Sequence, residues 1–187
     1  QYLYENASFP SHLTGKINEK GVRLATWNYD ANGRAISSEH GQSLEKVDLD
    51  YSVDNQTRVT HHISDTLTND VIYHYEERFI GKSKRKLVTQ YEQLACTDCE
   101  VGSWTYKYDA NGYVSQSTSP TGVVTKFTHD ADGFETQRIE AYGTPEQQTI
   151  DTVWDTTKRR VSSVSKGNLK TEYFYDANNQ VSSLVVT

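Results

Sequence analysis

The sequence predicts an all-β protein, an antiparallel meander of hairpins forming a curved, open β-sheet, and three observations predict it. A five-residue phrase recurs as Tyr29-Asp30-Ala31-Asn32-Gly33, Tyr108-Asp109-Ala110-Asn111-Gly112, His129-Asp130-Ala131-Asp132-Gly133 and Tyr175-Asp176-Ala177-Asn178-Asn179, which marks a repeat protein before any single residue is weighed. The flanking residues alternate with period two, with Trp104, Tyr106 and Tyr108 on one face and Thr105 and Lys107 on the other. Only 35% of the 187 residues are hydrophobic, and much of that is Val and Tyr, a strand composition too thin for a second apolar layer.

The phrase itself predicts a hairpin turn. In Asp-Ala-Asn-Gly the aspartate accepts a hydrogen bond from a backbone N–H two residues on, and the glycine takes a positive φ at the end of a type I turn. The turn residues are therefore Asp30 and Gly33, Asp109 and Gly112, Asp130 and Gly133, and Asp176. Two degenerate copies, Val53-Asp54-Asn55-Gln56 and Trp154-Asp155-Thr156-Thr157, keep the phase: Asp30 to Asp54, Asp109 to Asp130, Asp130 to Asp155 and Asp155 to Asp176 are 24, 21, 25 and 21 residues apart. Ser119-Pro120-Thr121-Gly122 reverses the chain again, with Pro where φ near −65° is wanted, so turns alternate between the two edges of one sheet.

In chain order this predicts strands at 12–18, 22–29, 34–39, 45–52, 57–63, 70–79, 84–93, 102–108, 113–118, 123–129, 134–142, 149–154, 159–165, 169–175 and 180–186, with Gln1-Tyr2-Leu3-Tyr4 already strand-like and no helix. Residues 1–187 read as one repeat segment, a fragment of a much larger protein because the chain has no Met, with a cysteine-containing loop at 94–102.

The formal net charge of −6 disfavours nucleic acid and anionic lipid as general partners, and no run is apolar enough to insert in a membrane. The exception to the charge pattern is Lys82, Lys84, Arg85 and Lys86, with Arg78 just before. It reads first as a solvated hairpin whose lysines blunt edge pairing, and second as an anion or polysaccharide site. Asp130-Ala131-Asp132-Gly133 fails as a calcium loop because Phe134 stands where the third ligand belongs, and His61-His62 falls on an alternating run that turns the two rings to opposite faces. No cofactor is implied.

Leu13-Thr14-Gly15-Lys16-Ile17, the run from Ala25 to His40, and Trp104 through Gly122 resemble the YD repeats of bacterial Rhs proteins, which are related to repeats in insecticidal toxin complexes and in teneurins. The resemblance covers nearly the whole chain. It implies a segment of a spiral β-sheet shell that encloses a toxic C-terminal domain until delivery, in a secreted or surface-exported bacterial protein, with no catalytic residues. Its partners would be the remainder of the parent chain and the enclosed toxin domain, and its open sheet edges would favour self-association. The Asp-Pro-rich core that closes such shells, and a variable toxin domain, are not in this sequence, so the resemblance implies a piece of wall. The rival reading is a carbohydrate- or cell-surface-binding module in which Trp27, Trp104, Tyr106 and Tyr108 form a platform for a cell-surface glycan.

Cys96-Thr97-Asp98-Cys99 holds the only cysteines, and three readings stand open. A zinc site at Cys96 and Cys99 needs two further ligands, and His12, His40, His61, His62, His74 and His129 supply no second pair at finger spacing. A redox pair needs a helix N-terminus after a strand, which this sequence does not offer. The third reading is a loop staple, a local disulfide or two thiols. Rhs repeats often carry such a pair before a YD strand, so the resemblance favours structure over catalysis.

Overall fold

The computed structural model describes residues 1–41, 44–64, 66–94 and 101–187. The cysteine loop, with Cys96 and Cys99, lies outside the described residues. The strands are β1 (Tyr2–Leu3), β2 (Gly15–Ile17), β3 (Arg23–Tyr29), β4 (Ala35–His40), β5 (Leu44–Asp50), β6 (Gln56–His62), β7 (Thr68–Ile80) and β8 (Ser83–Gln93). They continue as β9 (Gly102–Tyr108), β10 (Val114–Thr118), β11 (Val124–His129), β12 (Glu135–Glu140), β13 (Gln148–Asp155), β14 (Arg160–Lys166), β15 (Leu169–Tyr175) and β16 (Val181–Val186). All sixteen form one antiparallel sheet in strict chain order, and the sheet does not close on itself. Among the described residues there is no helix. The protein is thus an all-β open meander, as the alternation of turn phrases and period-two strands predicts.

The observed strands differ from the expected ones mainly in length. β2 covers only Gly15–Ile17 within the expected 12–18, because the chain from 6 to 12 is held in turns by Asn6 and Phe9 instead of a ladder. β7 runs to 13 residues, because Gly81 (φ 59°) lets a two-residue loop, Gly81-Lys82, close it directly onto β8.

By its internal contacts the chain divides into two compact units. The first is Gln1–Glu77 with Val88–Ser103, and the second is Arg78–Leu87 with Trp104–Thr187. The buried apolar residues are few: Ala25 and Val71 in the first unit, Leu87 and Ile150 in the second. Among the described residues no large side chain is fully buried. So thin a core leaves cross-strand and repeat-to-repeat contacts as the main source of order.

Each phrase closes its hairpin with a bulge at a fixed place. The register slips between Asn28 and Tyr29, Thr128 and His129, Val153 and Trp154, and Phe174 and Tyr175, always at the phrase's aromatic residue. The extra residue lies on the strand after the turn: Ile36, Thr136, Ser162 and Ser182. A bulge twists the strand and leaves a ladder group without its usual partner, and this decides where the aromatic rings go.

Candidate functional site

The recurring unit is built from its turn outward. Asp30 Oδ1 accepts the backbone N–H of Asn32 and of Arg34, both at 2.9 Å. Asp109, Asp130 and Asp176 do the same to the second and fourth residues after them at 2.9–3.0 Å. The fifth phrase position takes a positive φ in all four clear copies: 76° at Gly33, 83° at Gly112, 86° at Gly133 and 67° at Asn179, where an asparagine tolerates what glycine does elsewhere. In Asp30 the N–H of Arg34 is the largest influence on the carboxyl and holds it below the usual carboxylate range. The aspartate's accepting oxygen is thus committed to the turn and not offered to a substrate.

From that turn a rung reaches to the next repeat. The carbonyl just before each extra bulge residue is left open, and a ring from the following repeat bonds it. Tyr51 Oη donates to Ala35 O at 2.9 Å, Trp154 Nε1 to Glu135 O at 2.8 Å, and Tyr175 Oη to Val161 O at 2.6 Å. Tyr29 Oη reaches Leu13 O at 2.7 Å in the same manner. The residue before each accepting carbonyl then packs against that ring: His12 edge-on to Tyr29 (4.7 Å), Arg34 over Tyr51 (4.4 Å), Phe134 tilted against Trp154 (4.9 Å) and Arg160 over Tyr175 (4.1 Å). Each of these rungs therefore combines a polar tip bond with an aromatic or guanidinium contact to the ring.

One rung lacks its tip bond. Tyr113 stacks on His129 at 5.3 Å, in the place the other copies give to Tyr or Trp, but a histidine ring is too short to repeat the reach. His129 Nδ1 is buried and makes no hydrogen bond. The same Tyr113 ring lies against Gly133, where a Cβ would come within 2.5 Å of it, so this glycine is required by space as well as by φ.

The first unit carries a second kind of organisation on β5, β6 and β7. His62 Nε2 meets Asp48 Oδ2 at 2.7 Å and Lys46 meets the same carboxylate at 2.9 Å. Burial pushes the Asp48 carboxyl up, but hydrogen bonds from Lys46 and His62 outweigh it and leave the pKa lowered. Asp70 takes Arg58 and Thr60 on its two oxygens, both at 2.5 Å, and Arg58 foremost holds its carboxyl below the usual range. Near the chain start, Glu5 is paired with Arg23 (3.0 Å) and Thr14, and Arg23 foremost lowers its pKa. Carboxylates held ionised by a paired cation are poor general acids. Among the described residues no three His, Cys, Asp or Glu side chains gather to hold a metal.

Of the four proposed platform rings, Trp27, Tyr106 and Tyr108 are half-buried and Trp104 is 41% exposed. Trp27 lies on β3 in the first unit, and Trp104, Tyr106 and Tyr108 lie on β9 in the second. Trp27 lines a half-open pocket of about 270 Å³ with Glu5, Asn6, Thr14, Arg23, Asn28 and Tyr29, while Tyr108 has the Arg78 guanidinium 5.8 Å from its ring centre. Sequence reasoning missed the rungs. It also missed that Asn18-Glu19-Lys20-Gly21 closes the opposite kind of connection with the same bonds: Asn18 Oδ1 accepts the N–H of Lys20 and Val22, and Gly21 has φ 75°. The signal was present as the Asn-x-x-Gly spacing.

A sheet whose repeated polar atoms are consumed in binding one repeat to the next is a repeat wall. The family model of the teneurin YD-shell matches residues 2–185, and the chain belongs to that family. Comparison with curated proteins finds no match.

Proposed function

We propose that the chain is a non-catalytic wall segment of a YD-repeat shell that encloses a C-terminal toxin domain and helps deliver it, within a secreted or surface-exported bacterial protein. The observation that carries this reading is the rung: apart from the His129 tip, the phrase's turn-accepting aspartate oxygens and its ring tips and faces are engaged within the sheet, which suits a wall and leaves little for a substrate. Its partners on this reading are the rest of the parent chain and the enclosed toxin, and its open edges favour pairing with other copies. Limited proteolysis of the parent protein tests it. Cargo that survives protease inside the parent chain, and is cleaved quickly when expressed alone, is the expected result; equal cleavage in both settings would remove the enclosure reading.

One observation favours the alternative of an extracellular carbohydrate- or cell-surface-binding module. Trp27 stands in the pocket beside the Glu5–Arg23 pair, a ring with planar polar groups at its rim. Glycan-array binding that disappears in Trp27→Ala would establish that reading, and a blank array with the native chain would dismiss it.

A further inference from the structure

The turn after Asp155 is built unlike those of the four clear copies. In those copies the fifth residue's N–H closes on the aspartate's carbonyl at 3.0–3.2 Å, and Asp30 pairs with Arg34 across its turn. Asp155 pairs instead with Arg160, one residue later. Among the described residues none of 156–159 takes part in a backbone-to-backbone hydrogen bond, and the inner bond of the turn is Lys158 N–H to Asp155 Oδ1 at 3.2 Å. Arg160 meets the phrase aspartate as Arg34 does, Nε to Oδ2 at 3.3 Å against 2.7 Å, so Arg159 stands where Gly33 stands. It takes φ 52° there, a left-handed conformation that is costly for a residue with a Cβ and leaves the turn strained.

The same turn has a distinctive sequence. Residues 156–159 are all exposed. Lys158-Arg159-Arg160 is one of two runs of adjacent basic residues in the chain, the other being Lys84-Arg85-Lys86 inside β8. The Arg159 guanidinium rests over the Phe134 ring at 5.0 Å, a contact that holds an exposed side chain only weakly. Arg160 is half-buried, paired with Asp155 at 3.3 Å and laid over Tyr175 at 4.1 Å. The border between held and loosely held chain therefore falls between Arg159 and Arg160. It also falls between two rungs: the bond from Trp154 to Glu135 lies wholly before it, and the bond from Tyr175 to Val161 wholly after.

We propose that the Arg159–Arg160 peptide bond is a processing site for an endoprotease whose acidic pockets read paired basic residues, here Lys158 and Arg159. Hydrolysis adds one water across the bond. The water oxygen joins the Arg159 carbonyl carbon, the bond to the Arg160 nitrogen breaks, and the products are a carboxylate at 159 and an amine at 160. A protease binds its substrate extended, so a turn is cut only after it opens, and the open population sets the rate. A turn with a strained residue and no inner backbone bond opens at less cost than its neighbours. Lys20 is exposed too, but its turn is closed by Gly21 N–H on Asn18 O at 3.1 Å, and Lys82 sits in the two-residue loop between β7 and β8. The proposal is independent of whether the wall encloses a cargo.

Timed digestion of the folded chain, with mass spectrometry of the products, tests it in two arms, one with a paired-basic-specific endoprotease and one with trypsin. The first enzyme should release 1–159 and 160–187 as its first products and leave Lys84-Arg85-Lys86 intact. Trypsin should make its first cut after Lys158 or Arg159, ahead of Lys20, Lys82 and Lys166. Lys158→Gln with Arg159→Gly removes the basic pair and puts glycine at the positive φ, so the paired-basic cut should be lost. Circular dichroism checks that this variant keeps its strand signal, and the order of cuts in the native chain decides the matter if it does not. A folded chain that resists the paired-basic enzyme, a first cut in either arm at another site, cleavage after Arg160 in place of Arg159, or the same cut in the folded double variant would each overturn the proposal.

Discussion

The two compact units solve one problem, holding a sheet with almost no buried core, in different ways. In the second unit the phrase recurs at Asp109, Asp130, Asp155 and Asp176, and rings of one repeat bond and stack on the repeat before. In the first unit the phrase gives way after Tyr51, and charged and polar clusters on β5, β6 and β7 carry the cross-strand contacts: Asp48 with Lys46 and His62, Asp70 with Arg58 and Thr60. The difference teaches that a repeat wall tolerates loss of its motif where an ionic network replaces it. The two halves should then fail under different stresses.

The sharpest break on the second unit is Gly133→Val. The new side chain meets both a φ of 86° and the Tyr113 ring 2.5 Å from its Cβ, and strain plus overpacking should cost about 3 kcal/mol. Thermal unfolding should show it as a large drop in midpoint, with hydrogen exchange rising first around 109–134. A midpoint within a degree or so of the native chain would remove the claim that space and φ both require glycine here.

Acid should break the first unit. The folded-state pKa of Asp70 lies below its ordinary 3.8 because Arg58 and Thr60 bond its charged form. A lowered folded pKa means the stabilisation is complete above the unfolded value and is lost as pH falls through the folded one. Exchange protection in β6 and β7 should therefore fade below about pH 4. At neutral pH, Asp70→Asn should cost about 1–2 kcal/mol, the size of a lost charge-assisted hydrogen bond. Protection in β6 and β7 that is flat from neutral pH down to pH 2 would show that the ionic cluster is ornamental.

How far the sequence reveals this arrangement depends on the range of the interaction. The open meander was legible because turn chemistry and period-two alternation are local, visible within ten residues or so. The rungs were not. Their partners lie 14 to 19 residues apart, and the residue that packs against the ring is His12, Arg34, Phe134 or Arg160, alike in carrying a planar group and in nothing a composition scan detects. The bulge that frees the accepting carbonyl likewise has no residue signature, being Ile36 in one copy and Ser162 in another. The tip bond itself is checked by Tyr175→Phe, which keeps the Arg160 stack and removes only the hydroxyl. A loss of about 1 kcal/mol in denaturant unfolding is the expected outcome, and no loss would mean that the ring's packing alone holds the rung.

The smallest effect should be a gain. His129 is the one phrase ring with a buried, unpartnered nitrogen, and the bulge after its neighbouring turn places the extra residue at Ser115, just beyond Val114. By the pattern of Ala35, Glu135 and Val161, Val114 O is the carbonyl that a ring tip at position 129 should reach. His129→Tyr supplies the missing hydroxyl, keeps a flat face for Tyr113, and removes a buried orphan nitrogen, so it should stabilise the second unit by roughly 0.5–1 kcal/mol. The same exchange in the first unit, Tyr29→His, should cost about as much, since it abandons the bond to Leu13 O. If His129→Tyr is destabilising while Tyr29→His behaves as stated, position 129 is shaped for histidine and the second unit's repeats are not equivalent; if both changes are neutral, the tip bond is not what joins one repeat to the next.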